Sequence, residues 1–86
     1  MVIVRLYGWL AERLGWRERE LGFEGDLLNL LVEIDTGVKE MVESGKLLVA
    51  VNHQIIRDLG IKVRANDIVA VLPAFSGGSL GKRLRD

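Results

Sequence analysis

The residues of this chain best suited to chemistry are two glycines, Gly77 and Gly78, set near its end but not at it. They follow an apolar run, Val69-Ala70-Val71-Leu72, and then Pro73-Ala74-Phe75-Ser76. Eight further residues come after them, Ser79-Leu80-Gly81-Lys82-Arg83-Leu84-Arg85-Asp86. Glycine has no side chain to obstruct a narrow channel, so a double glycine can carry a terminal carboxylate into another protein's active site. Pro73 stiffens the departure of such an arm and limits the entropy lost on its insertion. From Pro73 to Gly78 an extended arm reaches roughly 20 Å, at about 3.3 Å per residue. This chemistry needs a free carboxylate on Gly78, and the last eight residues cover it. The sequence therefore predicts either a peptidase that removes residues 79–86 or a function that needs no terminal carboxylate.

No second constellation competes with the glycine pair. His53 is the only histidine; it falls in an Asn52-His53 turn without acidic neighbours at ligand spacing and reads as a solvated side chain. There is no cysteine, which excludes a thiolate metal site, a disulfide and a cysteine carrier of sulfur. Asp26, Asp35 and Asp67 read as a cap and turn residues, too far apart for a carboxylate pair. Ser76-Gly77-Gly78-Ser79-Leu80-Gly81 lacks the strand-to-helix setting of a phosphate-cradling loop. No cofactor-binding or metal residue is predicted, and an independent enzyme is not expected.

The elements that must position the arm follow from periodicity. Val2 to Tyr7 reads as a central strand, apolar on much of both faces, ended by Gly8. Trp9 to Leu14 reads as a short helix closed by Gly15. Trp16 to Phe23, with its charged Arg17-Glu18-Arg19-Glu20, reads as an exposed edge strand. Asp26 is a good N-cap for a helix whose buried face is Leu27, Leu30, Leu31 and Ile34. The spacing continues past Gly37 through Val38, Met41 and Val42 to Gly45, as one kinked helix or two short ones. Leu47 to Val51 is a strong strand, Gln54 to Ile56 its return, and Asp58 to Val63 is irregular. Asn66-Asp67 makes a tight turn into the last strand, Ile68 to Leu72, which Pro73 ends. The predicted fold is α+β, a mixed four- to five-stranded sheet with helices on one face and the first and last strands side by side at its centre. That is the β-grasp (ubiquitin-like) arrangement.

Composition agrees with one domain of this kind. The chain has 86 residues, of which 49% are hydrophobic and 28% charged. That is enough for a single modest core. Twelve basic residues balance twelve acidic ones, which argues against a nucleic-acid partner. No apolar run approaches the ~20 residues of a membrane-spanning helix, and the first residues lack a signal-peptide pattern. The sequence reads as cytoplasmic, with no membrane partner.

Three stretches together resemble the MoaD/ThiS family of ubiquitin-like sulfur carriers, closer to the MoaD side. They are Val4-Arg5-Leu6-Tyr7-Gly8-Trp9-Leu10-Ala11-Glu12-Arg13-Leu14-Gly15, then Leu48-Val49-Ala50-Val51-Asn52, then Ala65 to Gly78. The resemblance implies a carrier or small synthase subunit whose catalytic residues lie on a partner. An E1-like enzyme would use ATP to adenylate Gly78, and sulfur would then replace AMP to give a thiocarboxylate. The sulfur would pass to a molybdopterin precursor, with a MoaE-like large subunit as partner, or to the thiamine pathway. Gly77 would act as a spacer, Pro73, Ala74, Phe75 and Ser76 as the rest of the presenting arm, and Phe75 as a partner-contacting anchor. Residues 1–78 would form the domain with its arm, and 79–86 an extension. Against the family pattern Asn66 stands for a glycine, Ala74 for a second proline, and the extension is additional. Removing the extension leaves nine basic against eleven acidic residues, a net charge of −2. The readings that need no sulfur are a protein-binding module and a ubiquitin-like modifier conjugated to lysines.

Overall fold

The computed structural model describes residues 1–74. In chain order these form β1 (Val2–Leu6), α1 (Gly8–Leu14), β2 (Glu18–Leu21), β3 (Gly25–Asp26), α2 (Leu27–Ile34) and α3 (Thr36–Glu43). They continue as β4 (Leu47–Val51), β5 (Gln54–Ile56), β6 (Lys62–Val63) and β7 (Ile68–Pro73). The main sheet has the order β2-β1-β7-β4-β5. β1 and β7 run parallel at its centre, and the other neighbours are antiparallel. The β-grasp expectation therefore holds, with five strands.

Sequence explains most of the local structure. Val2, Val4 and Leu6 alternate with Ile3 and Arg5, so one side of β1 is fully buried while the other is only half-buried. The predicted burial of both faces is corrected to one: α1, α2 and α3 all contribute to the same core, on the same side of the sheet. In α2 the residues Leu27, Leu30 and Leu31 are wholly buried, as the helical spacing predicts. Its first amides are satisfied: Asn29 donates to the Asp26 carboxylate, Leu27 to the Ile61 carbonyl and Leu28 to the Leu59 carbonyl.

The kinked-or-double helix resolves into two. Asp35 is extended, at φ −177° and ψ 134°; it caps the end of α2 through its amide, and its carboxylate accepts from Gly37 to start α3. The segment Asp58 to Val63 is less irregular than its composition indicates, because Lys62 and Val63 pair with Asp26 and Gly25. Two-residue strands carry no detectable periodicity. No helix among the described residues is long and apolar enough to cross a membrane.

Candidate functional site

The arm begins one residue later than its proline indicates. Pro73 does not end β7 from outside; it is the buried last residue of the strand, opposite Leu47. Tyr7 donates its amide to the Val71 carbonyl at 3.1 Å. Bonding direction alternates along a strand, so the Pro73 nitrogen points to the same side as Val71, where β1 has already turned into α1. The missing N–H therefore leaves no partner without a donor. Gly8 lets α1 start against the proline ring: with φ +60°, a Cβ there would lie 2.9 Å from Pro73 Cγ. Ala74 then donates its amide to the Lys46 carbonyl at 2.9 Å. Pro73 and Ala74 form a fixed stem, so only the residues beyond Ala74 are left to reach a partner. Phe75, Ser76, Gly77 and Gly78 lie outside the described residues, as do the extension 79–86 and the roles expected of them.

The other end of β7 is clamped by side chains. Asn52 accepts from the Ile68 amide on Oδ1 at 2.9 Å and donates through Nδ2 to Asp67 Oδ1 at 3.0 Å. Asp67 Oδ2 also accepts from the Arg64 amide at 2.8 Å. The Arg64 amide and then the Asn52 side chain hold the Asp67 carboxyl below its ordinary pKa. Asn52 and His53 adopt φ of 51° and 73°, the left-handed pair of a two-residue hairpin turn, and Asn66 has φ 73°. The asparagine that ends Leu48-Val49-Ala50-Val51-Asn52 thus registers the strand that carries the arm. His53 is an exposed turn residue, and no cluster of potential metal ligands occurs among the described residues.

A surface that the sequence reading did not single out lies beside the stem. On the side of the sheet away from the helices, Ile3, Leu48, Ile55, Ile68 and Leu72 form one apolar face, with Ala50 and Ala70 between them. Ile55 is 47% exposed, and Ile3, Leu48, Ile68 and Leu72 are partly exposed. The pair Arg5 Nε–Glu18 Oε1, at 3.0 Å, and Glu20 border this face on the β2 side. The signal was present: four strands are apolar at consecutive positions, while the helices supply only one covering layer. Around the stem, Tyr7 and Trp9 are also exposed, and Arg13 lies 5.4 Å from the Trp9 ring. Trp16 is half-buried at the rim of the core under Arg19. Together these features place exposed apolar and aromatic side chains next to the stem. They do not bring together a nucleophile, a base and an oxyanion site.

The family model that matches is that of the ThiS family, over residues 4–78. The chain belongs to this family. Its fold is similar to the solution structure of small archaeal modifier protein 1 from Methanosarcina acetivorans, with TM-score 0.71, 22% identity, and 90% of this chain and 95% of that one covered. It is similar to Sulfolobus solfataricus Urm1, with TM-score 0.66, 28% identity, and coverage of 83% and 97%. It also resembles a chain in the complex of subunits 1 and 2 of molybdopterin-converting factor from Helicobacter pylori, with TM-score 0.59, 25% identity, and coverage of 90% and 97%. No curated protein matches this chain. As a member of the ThiS family it has the MoaD/ThiS-like, ubiquitin-like fold of small sulfur-carrier proteins.

Proposed function

We propose that this protein is a sulfur carrier of the MoaD type, activated at Gly78 after removal of residues 79–86. The observation that carries the reading is where the family match stops: it runs from residue 4 to residue 78, ending on the second glycine of the pair. The extension lies outside it. The fixed stem supports the same reading, because Pro73 and Ala74 anchor the arm to the centre of the sheet and set the direction in which it leaves. From Ala74 to Gly78 the reach is roughly 13 Å at about 3.3 Å per residue.

In this reading the Gly78 carboxylate attacks the α-phosphorus of ATP on an E1-like enzyme, pyrophosphate leaves, and sulfur at the hydrosulfide level then displaces AMP. The resulting thiocarboxylate donates its sulfur in molybdopterin biosynthesis while the carrier sits on a large subunit. The Helicobacter pylori complex of subunits 1 and 2 supports such a partner. The open apolar face beside the stem is the surface we assign to it. In this reading ATP belongs to the activating partner.

A chain ended at Gly78 should release pyrophosphate from ATP with the activating enzyme of the source organism, and the full-length chain should not. Equal activity of the two chains would refute the requirement for processing. Inactivity of both would refute the carrier reading. A Phe75→Ala variant should keep its melting temperature and lose partner affinity; unchanged affinity would remove Phe75 from the interface.

The similarity to Urm1 and to small archaeal modifier protein 1 favours one alternative, a modifier conjugated to lysines of other proteins. It predicts isopeptide adducts in place of a thiocarboxylate.

A further inference from the structure

At the β2 side of the open face a pocket of 220 Å³ is lined by Arg5, Leu6, Tyr7, Arg17 and Glu18. Alternation along β1 puts Arg5 on the same side of the sheet as Ile3. Tyr7, extended at φ −125° and ψ 158°, continues that row past the buried Leu6. Arg5 lies beside Ala70 in β7, and the Tyr7 amide bonds the Val71 carbonyl. The pocket therefore opens within two strand spacings, roughly 10 Å, of Leu72. Leu72 is the last residue of the open face before the stem.

This corner holds more positive charge than it uses. Arg5 gives its Nε–H to Glu18 Oε1 at 3.0 Å, and Glu18 is the only carboxylate of the lining. The two Nη nitrogens of Arg5 donate to no carboxylate or carbonyl among the described residues. Arg17 is exposed and forms no ion pair among them. Glu20 lies two residues further along β2, opposite Ile3, and Arg19 turns to the other side over Trp16, so neither enters the pocket. Two guanidinium groups against one carboxylate leave one charge unmatched. The free N–H groups of a guanidinium form a planar fork that fits a carboxylate through two parallel hydrogen bonds. Glu18 first, and then Tyr7, raise the Arg5 pKa above its ordinary value, which places the Tyr7 hydroxyl beside the same guanidinium.

We propose that this pocket receives an acidic side chain of the protein that docks on the open face, one Asp or Glu carboxylate held between Arg5 and Arg17 with the Tyr7 hydroxyl as a third donor. This rests on the reading of the open face as the large-subunit surface, and it adds the chemistry that the partner must present at the margin of that surface. Apolar contact at the centre and a charged pair at the rim fix the register of a docking surface. Nucleic acid is a poorer fit, because residues 1–78 carry eleven acids against nine bases. A free small anion is poorer too: the Arg5 side chain is 36% exposed, and water and salt screen so open a site.

The test is binding of the large subunit of the source organism to the full chain and its variants, at about 50 mM and about 1 M salt. Arg17→Glu should keep the parent melting temperature and weaken binding about ten-fold at the lower salt, mostly through slower association. At the higher salt the loss should shrink to about three-fold or less. Lys62→Glu makes the same change of charge on β6, outside the main sheet, and should alter binding by about two-fold or less. Glu18→Gln removes the carboxylate that competes for Arg5 and should speed association, whereas a pair that only braces two strands would not. Equal losses in Arg17→Glu and Lys62→Glu would overturn the pocket, as would slower association in Glu18→Gln. If Leu72→Ser weakens binding and Arg17→Glu does not, the pocket fails and the open-face reading stands. If neither weakens it, or the parent chain does not bind, both fail.

Discussion

The helix-covered face of the sheet and the open face are built from the same class of side chain, and they sit in different surroundings. Val2, Val4, Val69, Val71 and Val49 point toward α1, α2 and α3 and are sealed from water. Ile3, Ile68, Ala70, Leu72 and Leu48 alternate with them along the same strands, and among the described residues no helix lies over them. Burial, not residue type, separates the face that holds the fold together from the face available to a partner. A strand apolar on both sides beneath a single helical layer is therefore a mark of association.

Substitutions on the two faces should separate stability from binding. The largest effect belongs to the covered face: Leu30→Ala, at a wholly buried position in α2, should lower unfolding free energy by about 3 kcal/mol in urea titration. Loss under 1 kcal/mol would show that the helical layer is not tightly packed. Next comes Gly8→Ala, where the added Cβ meets Pro73 at 2.9 Å in a backbone region that suits glycine. It should cost about 1–3 kcal/mol and disturb the amides of Pro73's neighbours in an NMR spectrum.

The open face should behave in the opposite way. Leu72→Ser should change stability by about 1 kcal/mol or less, yet weaken binding to a large subunit by about ten-fold or more. If stability fell as far as in Leu30→Ala, the distinction between the faces would collapse.

The smallest effect is the acid response of the clamp. The folded-state pKa of Asp67 is depressed, so its stabilising contribution is complete above the unfolded pKa of about 3.9 and is lost as pH falls through the lower folded value. Stability of an Asp67→Asn variant should therefore fall less steeply below about pH 4 than that of the parent chain. Parallel slopes in the two proteins would exclude the clamp.

Much of this architecture was legible in the sequence because it rests on local chemistry. Asp26 announces a helix start, Gly15 a helix end, and Leu27, Leu30 and Leu31 a buried face; each is found in that role. Asp35 was harder to read, because one residue caps two helices and the apolar spacing runs on across the break. The β3–β6 pair was invisible, since two residues cannot display a period and their partners lie more than thirty positions apart. Pro73 misled by one residue. Proline is a poor strand former, but here its nitrogen faces the side on which the neighbouring strand has ended. The open face was missed because both faces of an apolar strand read alike until the helices are placed.

The central claim is that Gly78 is a latent terminus in a sulfur carrier, and intact mass of the protein isolated from its native cell tests it most directly. The account predicts a chain ending at Gly78, with a population heavier by the replacement of one carboxylate oxygen by sulfur. A protein that remains entirely full length through Asp86 would contradict it.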